Sequence, residues 1–127
     1  MTRSALVTGG TRGIGAEICR ALKQAGHNVA ATYFGNDDAA KKFADETGVY
    51  VFKFDVANFD ACQDGIAKVE AAIGPIDILV NNAGITRDAM LHKMTPQQWR
   101  EVISTNLDSL FNLCSNIIEG WREREVG

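Results

Sequence analysis

One stretch constrains the fold more than any other part of the chain: Thr8-Gly9-Gly10-Thr11-Arg12-Gly13-Ile14-Gly15. It follows a short apolar run, Ala5-Leu6-Val7, and opens into helical periodicity over residues 14–25. A strand that turns through glycines into a helix gathers unpaired backbone N–H groups and the positive end of the helix dipole at one place. Such a place binds phosphate. Gly9 suits a turn that side chains would block, Gly13 lets backbone approach a pyrophosphate, and Gly15 lets the helix pack close to the strand. The spacing is Gly-x3-Gly-x-Gly, which departs from the common GxGxxG fingerprint.

The alternation begun there continues. Residues 29–34, 49–54 and 76–80 read as further strands, the last apolar enough to be buried on both faces. Gly26 and Gly48 are helix stop signals. Asn36 is placed to cap a helix through residue 46, with Asp37 and Asp38 in its first turn, where the dipole favours acids. Asn58 caps another, in which Phe59, Cys62, Ile66, Val69 and Ile73 recur at helical spacing until Gly74-Pro75 breaks it. Thr95-Pro96-Gln97-Gln98 starts a short helix with a capping residue, proline at the first position and glutamine at the third. A long helix is expected to follow over 107–124. Strands separated by helices predict a doubly wound α/β fold, a parallel sheet with helices on both faces, and a switch point flanked by strands one and four corresponds to the order 3-2-1-4. With 127 residues and 46% hydrophobic content, one core and a single Rossmann-type domain over 1–127 are expected.

The bulk numbers exclude several classes. A formal charge of −3 offers no broad basic surface for nucleic acid. No apolar run reaches the roughly 20 residues of a membrane span, and Met1-Thr2-Arg3-Ser4 leads into a strand with no room for a signal peptide. Cys19, Cys62 and Cys114 are odd in number and far apart, without metal-ligand spacing, so they read as buried reduced thiols of a cytoplasmic protein. No metal site is expected.

The fourth strand runs into Asn81-Asn82-Ala83-Gly84. In a doubly wound sheet, ligands sit beyond the carboxyl ends of the strands where chain order reverses, so this loop faces the same crevice as the glycine turn. The glycine turn, Asp55 after the third strand, the 81–84 loop and Asn106 resemble, in order and spacing, the short-chain dehydrogenase/reductase family. The likeness covers essentially the whole chain. Asn81-Asn82-Ala83-Gly84-Ile85-Thr86-Arg87-Asp88 and Thr105-Asn106-Leu107 are similar to its ketoreductase branch. The resemblance implies NADPH-dependent reduction of a 3-oxoacyl thioester. Phe34-Gly35-Asn36-Asp37, the stretch from Met90 to Pro96 and Asp108-Ser109-Leu110-Phe111-Asn112 resemble more closely the members that act on acetoacetyl-CoA, a likeness that implies that substrate, with a carrier-protein thioester as the alternative.

Carried over residue by residue, the resemblance implies that Gly9, Thr11, Arg12, Gly13, Ile14 and Gly15 hold the pyrophosphate and adenosine side of the cofactor. Asp55 would accept from the adenine amino group beside the Val56 backbone. Asn82, Ala83 and Gly84 would line the ribose and nicotinamide end, and Asn81 would steady the strand junction. Asn106 matches the asparagine of the catalytic set, which shapes a helix bend and helps hold a relay water. The residues themselves argue for NADP(H). The second strand ends Thr32-Tyr33-Phe34, without the acid that bonds the ribose 2′-hydroxyl in NAD sites. The planar fork of Arg12 suits a 2′-phosphate.

The family's serine and Tyr-x3-Lys, which supply and tune the proton donor, are expected on a later strand and helix, and no Tyr-x3-Lys occurs in the chain. The chain is therefore expected to stop short of a fifth strand and to bind cofactor without reducing a carbonyl. A truncated or engineered module that only binds nucleotide or assembles is the alternative from another class. Leu107, Leu110, Cys114, Ile117 and Trp121, widened by Phe111 and Ile118, make an apolar helix stripe. It is either core or, as the family likeness implies, a homo-oligomer interface through the 107–124 helix. Arg87 and Asp88 read as a structural ion pair or subunit contact, and His92 as a bystander.

Overall fold

The computed structural model describes residues 1–127. Strands β1 (Ser4–Val7), β2 (Asn28–Tyr33), β3 (Tyr50–Lys53) and β4 (Ile78–Val80) form one parallel sheet in the order β3-β2-β1-β4. Between and after them run α1 (Gly13–Gln24), α2 (Asp37–Thr47), α3 (Phe59–Ile73), α4 (Pro96–Ile103) and α5 (Ser109–Arg124). The predicted doubly wound order is the observed one.

The pleat divides the apolar residues between two layers. Leu6, Ala30, Phe52 and Leu79 face a cluster closed by Cys62, Ile66 and Val69 of α3 and Leu113 and Ile117 of α5. Val7, Val29, Ala31, Val51 and Val80 face the opposite cluster, closed by Ala16 and Cys19 of α1 and Phe43 of α2. Neighbouring residues of one strand thus serve opposite faces, the signature of a sheet covered on both sides. Each fully buried Leu or Val contributes about 1.5–3 kcal/mol.

The local helix signals act as their chemistry predicts. Asn36 Oδ1 accepts from the Ala39 N–H, and Asn58 Oδ1 from the Ala61 N–H, both at 2.9 Å. Thr95 and Gln98 complete a reciprocal capping box at 2.9 and 3.1 Å. The strand ends differ from expectation. Phe34 lies outside β2 and is exposed, while β3 stops at Lys53 because Phe54 turns inward onto α3. Gly65 makes that contact possible, since a Cβ there would fall on the Phe54 ring.

The segment after Thr95 is a correction. The short helix and the long one join through a π-helical segment, Ser104–Asp108, into one continuous path. The core face of α5 is Ser109, Asn112, Leu113 and Ile117. Of the expected stripe, Ile117 and Trp121 pack inward, Cys114 is half-buried, and Leu107, Leu110, Phe111 and Ile118 are exposed. β4 is also shorter than expected. Ile76 precedes it, fully buried, and its carbonyl accepts from Trp121 Nε1 at 2.7 Å and Arg124 Nη2 at 2.8 Å.

Cys19 and Cys62 are buried and Cys114 is half-buried, which corrects the expectation that all three are buried. Desolvation pushes both buried thiols up to about 11, with Arg20 opposing at Cys19 and Asp55 reinforcing at Cys62. At pH 8, a thiol reagent should label Cys114 alone in the native protein and all three cysteines in denaturant. Labelling of Cys19 or Cys62 at the Cys114 rate would contradict their burial. The unfolded thiols ionise from about pH 9 while the native ones stay protonated. Stability should therefore fall as pH rises toward 11.

Candidate dinucleotide site at the carboxyl edge of the sheet

β1 ends in Thr8, 1% exposed, and the chain reverses over Gly9 at φ +61°. Both neighbouring strands pin the turn. The Thr8 N–H donates to the Val80 carbonyl at 3.0 Å, and the Gly10 N–H to the Thr32 carbonyl at 3.2 Å. α1 then begins at Gly13, where φ is +56° and an added Cβ would meet no atom within 4 Å. Its N-cap, Arg12, is exposed and gives no side-chain capping bond. α2, α3 and α4 each receive one from Asn36, Asn58 and Thr95. First-turn amides of α1 therefore point, uncapped, from the positive end of the dipole into open space. Beside them Ile14 is 75% exposed. A bound anion would satisfy those amides, and the open side of Gly13 leaves room for it.

The loop after β4 is tied to this turn more tightly than its sequence suggests. Thr8 Oγ1 accepts from the Asn82 N–H at 3.0 Å and the Ala83 N–H at 2.9 Å. Asn82 Nδ2 donates back to the Thr8 and Gly9 carbonyls, each at 3.1 Å. Asn82, not Asn81, thus steadies the strand junction. Asn81 Nδ2 reaches only Cys114 Sγ, at 4.0 Å. Gly15 does pack closely, but against the turn and this loop. A Cβ there would run into the Gly9 carbonyl oxygen and Asn82 Nδ2. Gly10 is constrained as well, since its Cβ would lie 2.7 Å from Ala31 Cβ and 2.9 Å from Cys19 Sγ.

Beyond β3, Asp55 spends one carboxylate oxygen on the Ala57 N–H at 2.9 Å and leaves the other free to accept. The next carbonyl, that of Val56, is held by Asn112 Nδ2 of α5 at 3.0 Å. A groove of about 450 Å³ opens between Asp55 and the 96–105 helix, with Ser104 and Thr105 on its wall. On the other side of the crevice, Asn106 sits in the π-helical segment and clamps Ile85. Its Oδ1 accepts from the Ile85 N–H at 2.8 Å, and its Nδ2 donates to the Ile85 carbonyl at 2.9 Å. Gly84 admits that clamp, because a Cβ there would lie 3.3 Å from Asn106 Oδ1. Arg87 pairs with Glu101 at 2.8 Å rather than with Asp88. His92 lies in a 3₁₀ turn, Leu91–Lys93.

The glycine turn and the 82–84 loop therefore meet beyond β1 and β4, the reversal point of the sheet, with Asn106 against Gly84 and Ile85, while Asp55, beyond β3, lines a separate groove with Thr105. Sequence reasoning missed Thr8 and Asn112, whose partners lie 74 and 56 residues away. A threonine closing the first strand was the one local hint.

This arrangement is that of a known family. The short chain dehydrogenase model matches residues 3–127, and the chain belongs to that family. Over all 127 residues it is 64% identical to an acetoacetyl-CoA reductase of Shinella zoogloeoides, 53% of whose length it covers. Over 122 residues, 92% of this chain and 50% of the relative, it is 42% identical to 3-oxoacyl-(acyl-carrier-protein) reductase FabG of Staphylococcus epidermidis. A solved structure of a short-chain dehydrogenase/reductase mutant from Serratia marcescens matches with a TM-score of 0.87 and 30% identity. That match covers 92% of this chain and 50% of the other. The chain thus spans about half the length of these relatives.

Proposed function

We propose that the full-length protein reduces a 3-oxoacyl thioester with NADPH, taking acetoacetyl-CoA to 3-hydroxybutyryl-CoA. One observation carries the cofactor half of this reading: α1 begins uncapped at an open glycine turn, opposite the 82–84 loop. Gly9, Thr11, Gly13 and Ile14 would hold the pyrophosphate, and Gly15 keeps the turn and the loop in contact. Arg12 would meet a 2′-phosphate, since its guanidinium is exposed beside the turn. The free oxygen of Asp55 would accept from the adenine amino group, with the Val56 backbone fixed by Asn112. Asn82, Ala83 and Gly84 would border the nicotinamide, which when bound supplies the hydride for the keto carbon. Asn106 would act through its grip on Ile85 and the widened helix turn around it.

The 64% identity to a reductase named for acetoacetyl-CoA supports coenzyme A as carrier, against 42% for one named for carrier protein. The exposed Leu107, Leu110, Phe111 and Ile118, with Phe59 stacked on Phe111 at 5.8 Å, favour self-association through the 107–124 helix. No helix is long and apolar enough to cross a membrane, which accords with a cytoplasmic site of action.

The test is loss of NADPH absorbance by the full-length protein with acetoacetyl-CoA or its carrier-protein thioester. Faster turnover of the coenzyme A ester supports the proposal, and no turnover of it refutes it. In the same protein, Arg12→Glu should weaken NADPH binding at least about tenfold and leave NADH binding nearly unchanged. Equal losses would count against the 2′-phosphate role.

A further inference from the structure

At the carboxyl ends of β2 and β3, Tyr33 and Lys53 are register partners on neighbouring strands. Three residues past Phe34, α2 opens with Asp37, the first acid after β2. That carboxylate is not left free. Lys53 Nζ reaches across the strand ends to both of its oxygens, at 3.2 and 3.3 Å. The Tyr33 phenol stands beside the same group, and desolvation together with a hydrogen bond to Asp37 raises it above its ordinary value. Asp38, in the first turn of α2, has no basic partner. Arg12, on the turn after β1, is a further cation at the carboxyl end of the sheet, as are Lys68 and Arg100 beside Asp55.

The Lys53–Asp37 pair is solvent-exposed on both sides, with 47% and 63% of the side chains accessible. An ion pair so exposed adds little to stability. Its effect on what binds nearby is larger, because a carboxylate in the first turn of α2, past the strand-end position that holds the acid of NAD sites, still adds negative charge that repels a 2′-phosphate. Lys53 occupies both acceptor oxygens of that carboxylate and cancels its charge.

We propose that Lys53 is a specificity-determining residue that, by binding Asp37, removes a negative charge that would repel a 2′-phosphate from the end of β2. The proposal rests on the NADP(H) assignment above and adds to it a device separate from Arg12. Lys53 acts twice in the same direction: it masks an acceptor and it contributes positive charge. The competing role for a lysine on an edge strand such as β3 is to discourage pairing with another sheet. That role predicts no change in nucleotide preference.

Binding of 2′,5′-ADP and of 5′-AMP to the full-length protein, by titration calorimetry, tests it without any turnover. The wild-type protein should prefer 2′,5′-ADP. Lys53→Met should reduce that preference about tenfold or more by releasing Asp37, and Lys53→Arg should keep it. Adding Asp37→Asn to Lys53→Met should restore a large part of the loss, a rescue that a merely structural role would not give. Unfolding midpoints of the variants confirm that each is folded. A wild-type protein without preference overturns the NADP(H) assignment itself. A wild-type preference that survives Lys53→Met, or a loss that Asp37→Asn does not rescue, overturns the role of Lys53 alone.

Discussion

Gly15→Ala should destabilise the protein by about 2–5 kcal/mol, although glycine to alanine inside a helix ordinarily gains about 1 kcal/mol. The sign reverses because the new methyl has no room. Its Cβ would fall on the Gly9 carbonyl oxygen and on Asn82 Nδ2, and within 2.9 Å of Gly10 Cα. Two of these three are backbone atoms of a turn pinned by β2 and β4, so they cannot swing aside as a side-chain tip would. Forced overpacking costs about 1–3 kcal/mol. Displacing Asn82 also breaks its bonds to the Thr8 and Gly9 carbonyls, each worth about 1 kcal/mol. The helix would pivot off the loop, so NADPH affinity should fall with stability. Gly13→Ala is the comparison, where open space leaves only the strain of φ +56°, about 1–2 kcal/mol. Urea unfolding reads both variants. If Gly15→Ala is as stable as the wild type, the close contact of turn and loop is wrong.

Thr8→Val keeps the shape of the side chain and removes its oxygen, at a site 1% exposed. Two N–H groups, those of Asn82 and Ala83, lose their acceptor together. A buried donor left without a partner costs about 1–3 kcal/mol, so the variant should lose about 2–4 kcal/mol. Thr8→Ser retains the hydroxyl and should lose less than about 1 kcal/mol. The contrast between the two, measured by denaturant midpoint, separates the hydrogen bonds from the packing of the methyl. Equal behaviour of the valine and serine variants would show that Thr8 Oγ1 does not hold the loop.

The elements that sequence reading placed well are those written in local chemistry. Asn36, Asn58 and Thr95 cap the helices they were expected to cap, because a side-chain oxygen and an N–H three residues on need no distant partner. The parallel sheet follows from the alternation of strands and helices, a rule of chain connection rather than of contacts, while its order is one of the two common doubly wound ones. What escaped was long-range or degenerate. Nothing beside Thr8 in the sequence announces Asn82, 74 residues away. Asn81 and Asn82 are chemically identical, but neighbours in extended chain point to opposite sides, and only the fold decides which one meets the turn. The 107–124 stripe divides between core and surface. Its residues straddle two faces of the regular helix α5: Ile117 and Trp121 share the side of Ser109 and Leu113 that meets α3, while Leu110, Phe111 and Ile118 turn away from it. Both faces of that helix carry apolar residues, and Leu113 rather than Leu110 is the one that enters the core.

The bond from Trp121 to the Ile76 carbonyl has an optical consequence. The chain holds two tryptophans. One indole, Trp121, leans on the α3–α5 core with its N–H engaged. The other, Trp99, is 58% exposed on the wet side of α4. Their emissions are therefore set by different surroundings, one sheltered and one bathed in water. Detachment of the terminal helix from the sheet would redden the first and leave the second unchanged, so the protein carries an intrinsic gauge of whether that helix is seated.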